Sequence, residues 1–395
     1  LQVLKPEESA ETNYCQWDGD GHFKMSDYPG RNPPTLGQIV EHVRRVDTAA
    51  KLSSAVVHVT SEERLATGAV LAGAVMVLAH GASAQDAWEE ILRGCWAPSP
   101  DPAEAWDRFS APFSPSGATS SCSLRVLDCL AGLENAKRLG WLQDYRTFDV
   151  EAWRFLRQKF DASWLIPGEM LGLGDPQLTA RNPRFPGLLE QQRDPDKVQP
   201  FAENPPDGCL NIVSSPEVLS DNSTAPSTPP RAAKGGTEGS VRASLTEREQ
   251  LNLDTFASFF LRTGLKHVVR LNYVHECQQA HNCPTALLEV GVQLHNCEFR
   301  DGGVPEKRLL RSFLKRCEVA CEEGLAVHCK AGLGRTGVMV GAYAVETHKI
   351  DGKAFHGWVR LCRPGSVQTP EQERMLRAMQ PAGPQAQCGC MRISI

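Results

Sequence analysis

One run of the chain, His328-Cys329-Lys330-Ala331-Gly332-Leu333-Gly334-Arg335-Thr336-Gly337, leaves few folds open to its surroundings. Leu325 to His328 ahead of it reads as a short buried strand, and Val338 to Thr347 behind it reads as a helix. A cysteine therefore ends a strand, a glycine-bearing turn follows, and an arginine opens a helix. The N–H groups of such a turn converge on one point, and the positive end of the helix dipole adds to them. The expected guest is a phosphate, held by Lys330, Ala331, Gly332, Leu333 and Gly334 of the turn. Arg335 can place two N–H donors on two phosphate oxygens, which a lysine cannot do as well. The same field favours the thiolate of Cys329, and a thiolate under a phosphoryl group is an in-line nucleophile. A buried cysteine beside a chance turn would leave Gly332, Gly334, Arg335 and Thr336 each needing a separate reason.

Thiolate attack needs an acid for the leaving oxygen. Asp301, in Phe299-Arg300-Asp301-Gly302-Gly303, follows a strand-like run in a glycine-rich loop and is the candidate. Thr336 is placed to hydrogen-bond the sulfur of Cys329 and ease its departure in the second step. His328 is expected to orient the turn through its ring nitrogens. Gln368 and Gln372 are candidates to position the second-step water.

The rest of the chain sets the frame. Its 395 residues suggest two or three domains, and 41% hydrophobic with 23% charged residues is ordinary globular composition. A formal net charge of −5 gives no reason to expect nucleic acid as the main partner. The longest apolar run, Ala66 to Ala79, is interrupted by Thr67, Gly68 and Gly73 and reads as a buried core helix, so no membrane insertion is expected. The sequence begins at Leu1, so a targeting segment upstream would not be visible. Its 14 cysteines are scattered along a long chain, which favours a reducing, intracellular setting.

Composition shifts divide the sequence. Residues 1–187 are globular in character. Residues 188–250 are poor in aromatics and rich in Pro, Ser, Thr and Gly, and read as a disordered insertion. Residues 251–380 are globular again, and 381–395 read as a flexible tail. In the second globular part, Lys266 to Leu271 and Gly291 to Leu294 suit strands, and Pro305 to Cys321 has helical spacing with Pro305 in the first turn. Strands alternating with helices predict an α/β sheet. A weak internal repeat is also present. At one common shift His58 falls on His328, Trp88 on Trp358 and Arg93 on Arg363. In that alignment Val59 stands at the place of Cys329 and Glu62-Glu63 replaces part of the glycine turn. Valine cannot attack phosphorus and two carboxylates repel phosphate, so the first copy is expected to be inactive.

At these residues the chain resembles the cell-division-cycle-fourteen group of dual-specificity phosphatases, within the cysteine-based protein tyrosine phosphatase superfamily. In the second half the resemblance rests on the His328–Gly337 run, Val269-Arg270-Leu271-Asn272, Asp301-Gly302 and Arg360-Leu361-Cys362-Arg363-Pro364-Gly365-Ser366. In the first half it rests on Leu127-Asp128-Cys129-Leu130, Thr147-Phe148-Asp149-Val150 and Trp164-Leu165-Ile166-Pro167-Gly168. The resemblance implies two tandem phosphatase-like domains, 1–145 inactive and 251–380 catalytic. A linker helix near Val150 to Phe160, within a connector of 146–187, joins them. It implies Cys329 as nucleophile, Arg335 as phosphate clamp and Asp301 as general acid, with no metal or organic cofactor. The implied substrates are phosphoproteins with Ser/Thr-Pro sites and some phosphotyrosine, set by proline-directed cell-cycle kinases. The implied settings are nucleus, cytoplasm, or centrosome and cilium. Oligomeric state is left open.

Two features depart from the group. Its linker helix is typically acidic and helps select substrates with a downstream basic residue, whereas Arg154, Arg157 and Lys159 stand here. Glu276 lies near the group's acidic residue after the Arg-Leu-Asn motif and is a candidate substrate-binding residue, though its neighbours differ. The insertion carries Ser215-Pro216 and Thr228-Pro229, which look like proline-directed kinase sites. This segment is expected to be phosphorylated and to engage the chain's own active site. Alternatives are an inositol-lipid phosphatase, which adds a second basic residue where Leu333 stands, and a phosphoprotein-binding scaffold without turnover. A zinc site from His275, Cys277, His281, Cys283, His295 and Cys297 is a third, with spacing that matches no standard finger. Cys329 is also expected to be sensitive to peroxide.

Overall fold

The computed structural model describes residues 33–51, 65–94, 124–176, 179, 256–276 and 287–381, with the strands Val3–Leu4 (β1), Tyr14–Gln16 (β2) and Val57–Val59 (β3). The insertion 188–250, the tail, Cys277, His281, Cys283 and both Ser/Thr-Pro sites lie outside the described residues.

The first half is mainly helical. α1 (Leu36–Ala50) opens on a reciprocal cap, in which Gln38 N–H reaches Thr35 Oγ1 at 3.3 Å and Thr35 N–H reaches Gln38 Oε1 at 2.8 Å. α2 (Leu65–Leu78) is apolar on all sides and buried through its second half, as its sequence predicted. α3 (Ala84–Gly94), α4 (Val126–Arg138) and α5 (Val150–Phe160) follow. β3 lies between β1 and β2 in a three-stranded parallel sheet.

The main sheet has five strands in the order β4-β5-β8-β6-β7. β4 (Ala162–Ile166) and β5 (Met170–Leu173) form an antiparallel hairpin, while β5, β8 (Leu325–His328), β6 (His267–Arg270) and β7 (Gln293–Asn296) run parallel. Segment 146–187, expected to be linker helix and connector, thus supplies two strands to the sheet as well as α5. The strand expected at Gly291 to Leu294 falls later in the chain, because Gly291 has φ +82° and serves the preceding turn. α6 (Lys307–Ala320) starts after Pro305, with Glu306 as its N-cap. α7 (Gly334–His348) begins earlier than its apolar pattern suggested, and α8 (Gly352–Cys362) and α9 (Pro370–Ala378) follow it.

Alternate residues of the central strands feed two cores. Met170, Val269, Leu325 and Val327 join the cluster containing Phe313 of α6, Val338 of α7 and Trp358 of α8. Leu171, Leu173, Val268 and Ala326 join a second cluster with Leu156 and Phe160 of α5 and Phe256, Phe259 and Phe260. The sheet is therefore covered on both faces, as parallel strands require. α1–α4 share the first cluster. α4 meets α8 backbone to backbone: a Cβ on Gly357 would lie 2.0 Å from Asp128 O, and one on Gly132 would lie 2.5 Å from Trp358 N. Trp358 Nε1 donates to Leu165 O at 2.8 Å and pins α8 to β4. The architecture is α/β on a mixed five-stranded sheet. Among the described residues no helix is long and apolar enough to cross a membrane.

Candidate active site

β8 is the middle strand and parallel to both neighbours, so its C-terminal end opens at the sheet edge where α/β folds carry ligands. The phosphate-type turn starts there. Its shape is set from behind, through its carbonyls. Lys330 O accepts from Asp175 N at 3.1 Å. Ala331 O and Gly332 O accept from Arg363, at 3.0 Å from Nη2 and 2.7 Å from Nε. Leu333 O accepts from Gly337 N at 3.0 Å and Val367 N at 3.3 Å. With these four carbonyls engaged, the N–H groups of Lys330 to Leu333 make no backbone bond among the described residues and remain as donors. α7 adds its own open N–H groups, since Leu333 as N-cap supplies no side-chain cap.

Gly332 is required at its position. Its φ is +64°, and a Cβ there would stand 2.0 Å from Leu173 O.

Arg363 is 2% exposed, and its Nη2 also binds Asp161 Oδ1 at 2.9 Å. Asp161 caps α5 in a left-handed conformation, φ 45°. The end of α5 is thereby tied through one guanidinium to the turn. Asp175 is buried behind the loop, accepts from Asn272 Nδ2 at 3.2 Å, and lies 3.8 Å from His328 Nδ1. His328 is buried with Nδ1 3.4 Å from Cys329 O, and burial lowers its pKa, which favours the neutral ring.

The predicted residues fall into three groups. Cys329, Arg335 and Thr336 are buried at the turn and the first turn of α7. Arg335 is 0% exposed and held from several sides. Its Nη1 donates to Glu276 Oε1 at 2.8 Å and Phe299 O at 3.0 Å, and its Nη2 to Glu276 Oε2 at 2.6 Å. Asp301 Oδ1 lies 3.2 Å from the same Nη2 and is otherwise open to solvent. Thr336 Oγ1 is buried with no hydrogen-bond partner among the described residues, so it is available to a group at the turn.

Glu276, a candidate substrate-binding residue, is the bidentate partner of Arg335, and that contact lowers its carboxyl pKa.

Gln372 ties two loops together. Its Oε1 accepts from Gln368 N at 2.9 Å, and its Nε2 donates to Gly303 O at 3.0 Å. Thr369 Oγ1 adds a bond to Gly302 O at 2.7 Å. The Asp301 loop is thus fastened to the start of α9. Gln368 is exposed, and its Oε1 would be 3.0 Å from a Cβ on Gly334, so its side chain stands beside the turn. Lys330 is exposed.

Other expectations are redirected. Arg154 is paired with Glu41 at 2.7 Å and Glu151 at 2.5 Å, so its charge is neutralised locally. Arg157 lies over the Trp153 ring at 5.0 Å. Among the described residues no group of three or more His, Cys, Asp or Glu could hold a metal. His295 bonds His267 at 3.1 Å and Arg316 at 3.1 Å, and His275 stacks on Tyr273. Sequence reasoning missed Asp161 and Asp175, and quoted Arg363 without a role. No local pattern marks them, because their partners lie far away in sequence.

A thiol at the foot of an anion cradle with an arginine on its rim is the layout of the cysteine-based phosphatases. Comparisons with known proteins find similar chains. Residues 245–349 match the family model described as polymorphic toxin system, DSP-PTPase phosphatase. Dual specificity protein phosphatase CDC14A of Homo sapiens is 23% identical over 378 residues, covering 93% of this chain and 50% of its own length. The CDC14 homolog of Schizosaccharomyces pombe is 37% identical over 116 residues, 29% of this chain and 20% of the relative. The crystal structure of Tk-PTP in the active form aligns with a TM-score of 0.28 at 25% identity, over 32% of this chain and 82% of that one. The chain is thus similar to CDC14 dual-specificity phosphatases over 93% of its residues, at 23% identity. It spans about half the length of the curated relatives it matches.

Proposed function

We propose that this chain is a cysteine-dependent dual-specificity protein phosphatase acting on phosphoserine or phosphothreonine followed by proline, and on phosphotyrosine. The observation that carries the reading is the turn itself: its carbonyls are bound from outside, and its N–H groups are left as donors for a phosphoryl group above Cys329. In the first step the Cys329 thiolate forms an S–P bond as the P–O bond to the side chain breaks, and Asp301 gives its proton to the departing oxygen. Arg335 and the turn N–H groups hold the equatorial oxygens, where charge is retained in the transition state. In the second step water attacks phosphorus, its proton passes to Asp301, and sulfur leaves as thiolate with Thr336 as hydrogen-bond donor. Gln368, exposed beside Gly334, is the better placed of the two glutamines to position that water, because both ends of the Gln372 amide are occupied.

On this reading 251–380, with β4 and β5, forms the catalytic unit, and 1–145 is an inactive copy that supports it across α5. The central place of β3 in its own parallel sheet supports the comparison with β8. Substrates marked by proline-directed kinases, a cell-cycle role, and work in nucleus, cytoplasm or centrosome belong to the same proposal.

The test is phosphate release from matched peptides carrying phosphoserine-Pro, phosphotyrosine, or phosphoserine without Pro, and from a soluble inositol phosphate, with Cys329→Ser as control. Turnover led by phosphoserine-Pro and absent in the variant is expected. Preference for the inositol phosphate, or no turnover by the wild type, would overturn the reading.

A further inference from the structure

The loop that carries Asp301 leads directly into α6, whose outer face is rich in cations. Leu310, Phe313, Leu314, Cys317 and Ala320 point into the core. Lys307, Arg308, Arg311 and Lys315 are exposed, and at 3.6 residues per turn they fall within about 100° of arc. Arg300, also exposed, adjoins Asp301. None of these five cations makes an ion pair with the described residues, although the ion pairs of Arg146, Arg154 and Arg270 are plain elsewhere. Glu306, the N-cap, precedes the row, and Glu318 follows Lys315 on the same face; among the described residues neither forms an ion pair with it. In a chain of net charge −5, an unpaired cationic stripe beside the proposed acid is not an average of composition. From Lys307 to Lys315 it runs about 12 Å, the length of roughly four extended residues.

We infer that this stripe receives an acidic segment of the phosphoprotein substrate, flanking the residue that is dephosphorylated. The inference rests on the phosphatase reading of the site and adds a substrate class to it. Charge complementarity is the argument: like charges held this close are relieved by carboxylates laid along the helix, and a lysine- or arginine-rich flank would be repelled. Each contact is solvent-exposed, so the stripe acts mainly on encounter and KM rather than on the chemical step, and salt weakens it.

Two measurements test this on the full chain. The first is kcat/KM for one phosphopeptide core with an acidic, neutral or lysine-bearing tail, against p-nitrophenyl phosphate, which has no tail. The second is fluorescence anisotropy of the acidic tail alone, unphosphorylated, with and without added salt. The expected result is about fivefold higher kcat/KM for the acidic tail over the neutral one. That preference, and the binding of the tail, should vanish in Arg311→Glu/Lys315→Glu while p-nitrophenyl phosphate turnover is unchanged. Equal rates for all tails with normal p-nitrophenyl phosphate turnover would overturn the stripe and leave the phosphatase reading standing. Absence of all turnover would overturn that reading, and the anisotropy arm would still judge the stripe. Binding to vesicles rich in phosphatidylserine, with none to the peptide, would overturn it in favour of a membrane surface.

Discussion

Glu276→Ala is the sharpest perturbation of the site. Arg335 is fully buried, and Glu276 gives it two charge-assisted bonds, at 2.8 and 2.6 Å. Removing one partner of a buried ion pair costs about 3–5 kcal/mol. The Glu276 side chain is 15% exposed, so water reaches the gap, and Phe299 O and Asp301 Oδ1 remain at 3.0 and 3.2 Å. A loss of about 2–3 kcal/mol in urea unfolding follows. With Arg335 no longer aimed at the turn, kcat/KM for p-nitrophenyl phosphate should fall about 10²–10³-fold, the range for one lost transition-state donor. Glu276→Gln keeps an acceptor but no charge and should fall between. The pair also carries a pH signature. Because Arg335 lowers the folded-state pKa of Glu276, its contribution is complete above the ordinary value of 4.5 and is lost as pH drops through the lowered one. Glu276→Ala should therefore lose that part of the wild type's acid sensitivity. The reasoning fails if the variant matches wild type on p-nitrophenyl phosphate and loses rate only on peptides with a downstream lysine. That outcome would return Glu276 to the substrate-binding role its sequence position suggested.

Other expectations follow from single contacts. Asp301→Asn should lower kcat on phosphoserine peptides by about 10²–10⁴-fold but scarcely affect p-nitrophenyl phosphate, whose leaving group needs no proton; equal losses would remove Asp301 as the acid. Arg363→Ala breaks the bonds to Ala331 O, Gly332 O and Asp161 together, and should cost about 2–4 kcal/mol and at least about tenfold in kcat. Arg363→Lys should recover little, since lysine cannot span all three acceptors. Gly332→Ala, at φ +64° and 2.0 Å from Leu173 O, should abolish turnover and cost more than about 2 kcal/mol by urea titration. Gly357→Ala forces a Cβ to 2.0 Å from Asp128 O and should separate α8 from α4, lowering the thermal midpoint while kcat of the folded fraction stays near wild type.

The sequence by itself determined the chemistry of the turn. His328 to Gly337 is contiguous, and strand, glycine turn and helix are each dictated by local backbone preference, so the cradle and its thiol were legible without a fold. The buried apolar helix α2 and the strand β6 were legible for the same reason, since each carries its own composition, whereas the helix α5 was expected only from the family resemblance. The tertiary structure alone decided what stands behind the turn. β5 meets β8 although residues 174–324 separate them in sequence, and only that pairing brings Asp161, Asp175 and the backbone of Leu173 against the loop. It also decided that Glu276 holds Arg335, that Gln372 fastens the Asp301 loop, and that Gly132 and Gly357 let two helices touch. The physical reason is common to all of these. A hydrogen bond or close contact between distant segments depends on where the packed cores place the backbones, and a single buried Asp, Gln or Gly has no spacing pattern through which the sequence could announce it.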